Sequence, residues 1–227
     1  MIYPQPLPDF STLFTHTNKI RLLQQLINLT GVGNPSIARC TNLLPLNRTP
    51  LSQHDEQLAT DWLMSVFNQL FADQHVTLVR AEGEPEYFPA TAYEPARIQF
   101  AHGFFASALH EISHWCIAGN KRRALIDFGY WYTPDGRSAA QQHQFEQLEI
   151  KPQALECLFT LACNRPFEVS QDNLFADFDT SHSTFSSDVY EQVTSYIDEP
   201  HQLPRDAKTL LLALLILNNN ESLTTAL

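Results

Sequence analysis

Phe104-Phe105-Ala106-Ser107-Ala108-Leu109-His110-Glu111-Ile112-Ser113-His114-Trp115-Cys116-Ile117-Ala118-Gly119 is the stretch that decides how the rest of the chain is read. Residues four apart share one face of a helix, so His110 and His114 project together. Phe105, Ala108, Leu109, Ile112, Trp115 and Cys116 make the remainder apolar, which predicts a helix from about Phe104 to Ala118 packed into the core. Gly119-Asn120 is its stop signal. Lys121, Arg122 and Arg123 follow, where the helix dipole favours cations. A histidine pair on a buried helix needs polar partners, and a metal ion supplies them. His110-Glu111-Ile112-Ser113-His114 is an HExxH motif.

Outward from this helix the chain alternates between helical and strand-like pieces. Upstream, Ser52 and Asp55 form a capping signal, and Leu58, Trp62, Leu63, Val66, Phe67, Leu70 and Phe71 recur at helical spacing until about Asp73. Val76 to Val79 and Arg97 to Ala101 read as strands, separated by the turn Glu82-Gly83-Glu84-Pro85. Downstream, Leu125 to Tyr132 reads as a further strand, closed by Pro134-Asp135-Gly136. A long helix is expected from about Ser138 to Cys163, kinked or broken at Pro152. Shorter helices are expected at Ser187 to Ile197 and Arg205 to Leu217. Strands clustered between helices indicate an α+β fold, with a small sheet packed on the helices.

The first 50 residues differ in texture. They hold six prolines and almost no acid, with one helix expected over Lys19 to Leu29. We expect residues 1–50 to be an N-terminal extension packed on the core, and residues 51–227 to be the HExxH metal-binding catalytic domain.

Composition narrows the function classes. The chain has 227 residues, 14 Lys+Arg against 25 Asp+Glu, and a formal net charge of −11. Such a chain is a poor non-specific ligand for nucleic acid or anionic membrane, and it favours cationic partners. The longest apolar run, Leu210 to Leu217, is too short for a bilayer span. No secretory leader pattern opens the chain, so a cytoplasmic location is expected. Cys40, Cys116, Cys157 and Cys163 form no CxxC pair and are read as small hydrophobes in a reducing compartment.

HExxH provides two metal ligands, and a third must come from elsewhere. No histidine follows at the metzincin spacing. A distal carboxylate is the alternative, and Glu149 or Glu146, in the long helix, are the candidates. Zinc in such a site activates water, with Glu111 as the general base of a metallopeptidase. Ferrous iron with the same two histidines and one carboxylate leaves positions for dioxygen. Ligand types alone do not separate these two chemistries.

Longer strings do. Phe100-Ala101-His102-Gly103 running into the HExxH helix through Gly119 is similar to the elongation factor P hydroxylase family. So are Asp127-Phe128-Gly129-Tyr130-Trp131-Tyr132 with Pro134-Asp135-Gly136-Arg137, and Gln144-Phe145-Glu146 with Lys151-Pro152-Gln153-Ala154-Leu155. Pro166-Phe167, Ser170 and Asp172-Asn173-Leu174 continue the match. The resemblance spans about residues 56 to 200, weakens toward the C-terminus, and leaves out residues 1–50.

The resemblance implies a zincin-like, metalloprotease-type fold holding iron in place of zinc. It implies an Fe(II)-dependent monooxygenase that uses dioxygen as co-substrate, with zinc as a possible replacement metal. The implied substrate is translation elongation factor P whose lysine already carries a β-lysyl group. The ligands implied are His110, His114 and Glu149. Glu111 becomes an acid orienting water or a substrate amine. Glu146 and Asp127 are candidates for the ammonium groups, and Tyr130 and Tyr132 for the lysine stem. The acidic balance of the chain suits so long a cation.

Overall fold

The computed structural model describes residues 7–30, 38–39, 42–43, 55–130, 136–173, 178 and 183–218. A 3-10 turn at Phe10–Phe14 leads into α1 (His16–Thr30), which buries Leu22, Leu23 and Leu26. Helix α2 (Glu56–Leu70) begins where Asp55 accepts the Leu58 N–H at 3.0 Å; Ser52, the other half of the expected cap, lies outside the described residues. Three short strands follow: β1 (Val76–Arg80), β2 (Glu86–Phe88) and β3 (Ala96–Phe100). β3 is central, parallel to β1 and antiparallel to β2, so Ile98 faces Leu78 on one side and Tyr87 on the other. Ala96, Ile98 and Phe100 point into the core, as a period of two requires.

The HExxH helix, α3, spans Phe105–Arg122. Gly119 has φ +63°, so regular helix ends at the predicted stop. Its other end is held from outside: Glu56 of α2 accepts the Phe105 N–H at 2.6 Å. Trp115 and Cys116 face the core, with the Trp115 ring set edge-on to Phe67 and Phe71. Helix α4 (Ala139–Ala162) lies across α3 and supplies the other wall of the site. Helices α5 (Phe185–Asp198) and α6 (Arg205–Asn218) complete the body. α6 is buried along most of its length and touches α1, α3 and α4. The architecture is α+β, mostly helical with one three-stranded sheet among the described residues. No described helix is long and apolar enough to cross a membrane. Cys116, Cys157 and Cys163 are buried free thiols whose pKa values burial pushes up; Cys40 lies outside the described residues.

Two expectations need correction. Pro152 does not break α4, which runs through it as a single element. Leu125 to Tyr130 is not a strand. Ile126–Gly129 is a 3-10 turn in which Asp127, Phe128 and Gly129 take φ of +47°, +56° and +70°. The aromatic, β-branched composition suggested extended chain, but two tertiary anchors override it. The Phe128 ring stacks on Tyr87 at 4.1 Å, and Asp127 Oδ1 accepts the Tyr87 N–H at 2.9 Å. Residues 131–135, including Tyr132, lie outside the described residues.

Arg123 is not a surface charge. Its Nη2 meets Asp206 Oδ2 at 2.7 Å and its Nε donates to the Trp115 carbonyl at 2.9 Å. Gln74 and Arg205 also donate to Asp206, each at 3.0 Å, which ties the ends of α2, α3 and α6 together. Burial alone would raise the Asp206 carboxyl, but these donors outweigh it and hold the pKa below the ordinary value. The stability from this group is therefore full at neutral pH and lost as the pH falls through that lowered pKa, below about 4. Asp206→Asn should destabilise the protein by about 2–4 kcal/mol at pH 7. In denaturant titrations the gap to the parent protein should shrink as the pH falls through that lowered pKa, where the parent's Asp206 is neutralised as well.

Candidate metal centre

Helical spacing places His110 and His114 one turn apart on α3, with their Nε2 atoms 3.1 Å from each other. α4 presses a buried Glu149 against them. Its Oε2 lies 3.3 Å from His114 Nε2 and 3.6 Å from His110 Nε2, and only 1% of the side chain is exposed. Two donors each about 2.1 Å from one ion, at angles between octahedral and tetrahedral, sit roughly 3.0–3.5 Å apart. The separations of 3.1 and 3.3 Å fall within this range, and the third, 3.6 Å, lies just beyond it. These donor atoms form one triangular face, the arrangement of a two-histidine, one-carboxylate centre with open positions. The residues therefore fit a metal ion.

Electrostatics point the same way. Burial would lower the His110 pKa, but a 2.8 Å hydrogen bond to Glu156, with the charges of Glu156, Glu149 and Glu111, outweighs it and raises the pKa to about 10. A nest of carboxylates thus holds a proton where a cation belongs. Burial also pushes the Glu111 carboxyl above its usual range, and Glu149 and Asp127 add to this against the pull of the two imidazoles.

The centre forms the floor of a cavity of about 480 Å³, within the size range of small-molecule sites. Glu84, Glu111, Asp127, Glu149, Glu156 and Asp172 line it, and no Lys or Arg does among the described residues. Pro85, Phe128 and Phe145 supply apolar wall. A larger cavity of about 750 Å³ lies elsewhere, among Arg39, Arg123, Arg205 and Lys208, and contains none of the candidate ligands. Size alone would mislocate the site; donor chemistry locates it.

The other candidates separate clearly. Glu111 and Asp127 line the metal cavity. Glu146 does not: it is buried one turn before Glu149 and accepts from Gln142 Nε2 at 3.1 Å and Ser183 Oγ at 2.9 Å. Tyr130 lies edge-on to His114, ring centroids 6.2 Å apart, with the Arg122 guanidinium carbon 3.8 Å from the centre of its ring. His102 is exposed on the 3-10 turn before α3.

Sequence reasoning missed Glu156, which fixes His110 through Nδ1 and leaves Nε2 toward the centre. A signal was present. Glu149, Gln153 and Glu156 stand at i, i+4 and i+7, a polar stripe on a mostly apolar helix half. Gln153 works within this stripe, exchanging hydrogen bonds of 2.6 and 3.0 Å with the Ser170 backbone and so holding the segment after α4 over the cavity.

The family model described as elongation factor P hydroxylase matches residues 66–227, further toward the C-terminus than the motif resemblance reached. A curated protein of Haemophilus influenzae, named elongation factor P lysine hydroxylase, is 45% identical over 161 residues, which cover 70% of this chain and 89% of the relative.

Removing the His110 orienter should weaken metal binding without unfolding the protein. Glu156→Gln is expected to lower Fe(II) affinity about 10–100-fold in a competitive chelator titration. Glu149→Gln should lower it further, whereas Glu146→Gln should leave it within about threefold of the parent.

Proposed function

The chain belongs to the elongation factor P hydroxylase family and is a lysine hydroxylase acting on elongation factor P, and we propose that it acts on the β-lysylated form, with Fe(II) held by His110, His114 and Glu149 and dioxygen as co-substrate. The single observation that supports this reading best is the acidic cavity over a two-histidine, one-carboxylate cluster. The relative's name speaks of lysine hydroxylation. Nothing in the comparisons supports the metallopeptidase alternative. We read the fold as zincin-like, on the support of an HExxH helix beside a small mixed sheet with the third donor on the next helix. Residues 51–227 are taken as the catalytic domain and residues 1–50 as an extension on it. Phe10, edge-on to Phe167 at 5.1 Å and to Tyr190 at 5.5 Å, supports that packing. A cytoplasmic enzyme without nucleic-acid or membrane partners is consistent with this substrate.

Ferrous iron bound in this set supplies the dioxygen chemistry by which one oxygen atom enters a C–H bond. The chain's own residues do the rest. Glu156 holds the His110 ring through Nδ1. A lysine bearing a β-lysyl group is an extended chain with two ammonium groups. The carboxylates of Glu84, Asp127 and Asp172 offer those groups counter-charges along the cavity wall. Asp127 is fixed for this by its bond to the Tyr87 N–H and by the left-handed backbone of its turn. Phe128 and Phe145 flank the apolar stem. Glu111, whose carboxyl burial pushes above its usual range, lies in the same cavity, where it can orient a substrate amine or water.

Iron-loaded protein, reductant, air and β-lysylated elongation factor P should yield a gain of one oxygen on the modified lysine by mass spectrometry. The His110→Ala protein and the zinc-loaded protein should yield none. Absence of the gain with iron demonstrably bound would defeat the proposal. Glu84→Gln with Asp172→Asn should raise KM for the substrate about tenfold at low salt, with kcat within about threefold. Equal losses in KM and kcat for a substrate lacking the β-lysyl group would remove these two acids from ammonium recognition.

A further inference from the structure

The segment from Ser170 to Asn173 brings Ser170 and Asp172 into the wall of the metal cavity, yet it belongs to no helix or strand. Its backbone is fixed by side chains from elsewhere. Gln153 holds Ser170. From Gln171 onward the common partner is Arg137. Its Nη2 donates to the Asp172 carbonyl and, at 3.4 Å, to the Gln171 carbonyl. Gln142 Nε2 donates to the same Gln171 carbonyl at 2.9 Å. Asn173 closes the far end. Its Oδ1 accepts the Gly136 and Arg137 N–H groups at 2.8 and 3.2 Å, and its Nδ2 donates to the Arg137 carbonyl at 3.2 Å. Within this segment Asp172 takes φ +48°, a left-handed conformation that a non-glycine residue keeps only where its surroundings impose it.

Only 2% of Arg137 is exposed, and a buried cation is costly unless its donors and its charge are both met. Its guanidinium carbon lies 3.8 Å from the centre of the Phe145 ring, which itself lines the metal cavity. Its Nε donates to Gln142 Oε1 at 3.0 Å, and the same amide donates to the buried Glu146 at 3.1 Å. Glu146, which has no place in the metal cavity, thus balances Arg137 across one amide. The planar fork lets a single group cover a ring with its face and gather two successive carbonyls at its edge; a lysine keeps the charge and loses the fork. The Asp172 carboxylate stays outside this network: its Oδ2 is 3.6 Å from Nη2 and 71% of the side chain is exposed, which leaves it open to a cation. We propose that Arg137 is a positioning residue for substrate recognition. By gathering the carbonyls of Gln171 and Asp172 beside Phe145, it sets the Asp172 carboxylate where an ammonium group of the β-lysylated lysine meets it. This inference rests on the substrate reading above.

Arg137→Lys, and Asn173→Ala from the other side of the same contact, test this in the full-length protein loaded with Fe(II) and kept free of dioxygen, so that bound substrate is not consumed. Deuterium exchange is expected to quicken about tenfold in the peptide spanning Ser170 to Asn173, with α3 and the Glu149 to Glu156 part of α4 unchanged. The Kd for β-lysylated elongation factor P is expected to rise about tenfold in Arg137→Lys, while the Kd for the unmodified factor stays within about twofold. In an Asp172→Asn background Arg137→Lys should add less than about threefold to the Kd, because residues that act through one another are not additive. Fe(II) affinity should stay within about threefold of the parent, since the clasp touches no candidate metal ligand. Unchanged exchange in both variants, equal losses for the modified and unmodified factor, or an undiminished further loss in the Asp172→Asn background overturns the proposal. A parent protein that hydroxylates no lysine defeats the reading above; the exchange and binding measurements, made without turnover, are decided separately.

Discussion

A carboxylate driven into the contact between two helices sets the terms for the rest of this protein. Glu149 is almost wholly buried and its Oε2 sits within 3.6 Å of both imidazoles of α3. Burying a carboxylate is expensive unless cations or donors meet it. Here the meeting partners are the two histidines, and the His110 pKa shows how strongly the acids around it demand positive charge. The α3–α4 packing therefore cannot be optimised as an apolar interface alone. Its geometry has to keep three donor atoms together, and the apolar residues on either side serve that alignment.

The supporting structure follows from the same need. α3 is held at both ends by groups from other elements. Glu56 of α2 takes its first N–H, and Arg123 at its far end is locked to Asp206 of α6. Trp115, one residue after the second histidine, is packed between Phe67 and Phe71 on one side and the Arg123 guanidinium at 3.6 Å on the other. A helix held in this way has little freedom to rotate its histidines off the face that Glu149 meets. The turn at Asp127, Phe128 and Gly129 is the strained part of the framework. Left-handed backbone at two non-glycine residues costs of order 1–3 kcal/mol each, and the Tyr87 stack and hydrogen bond offset it. The return is an acid and an aromatic ring aimed into the metal cavity.

Charge is distributed with the same economy. The cavity over the metal site is lined by six carboxylates, whereas Arg123, Arg137 and Arg165 are all turned inward and engaged with the scaffold. Six of the chain's 25 acids thus line the cavity over the histidines, where no described Lys or Arg offsets them. Arg165 departs from the other two, because one edge of its guanidinium faces no acceptor.

The sequence by itself determined the helices and the chemistry they bear. The apolar spacing of α2, α3 and α6 and the stop at Gly119 are local patterns, so periodicity and capping suffice to read them. The HExxH spacing places both histidines on one face in any helix that contains it. The acid placed to complete a donor set with the histidines was legible only as a choice between Glu149 and Glu146. Three residues separate them on one helix, and nothing local says which of two neighbouring faces meets α3. Only the tertiary structure set Glu149 beside the histidines and left Glu146 with Gln142 and Ser183. The same holds for Glu156, whose role exists only once α4 crosses α3. It holds also for residues 125 to 130, where aromatic and branched side chains favour a strand until Tyr87, 40 residues before Asp127 in the chain, captures the turn. Local spacing decides which face a side chain shares; which face meets which is decided by packing between segments far apart in sequence.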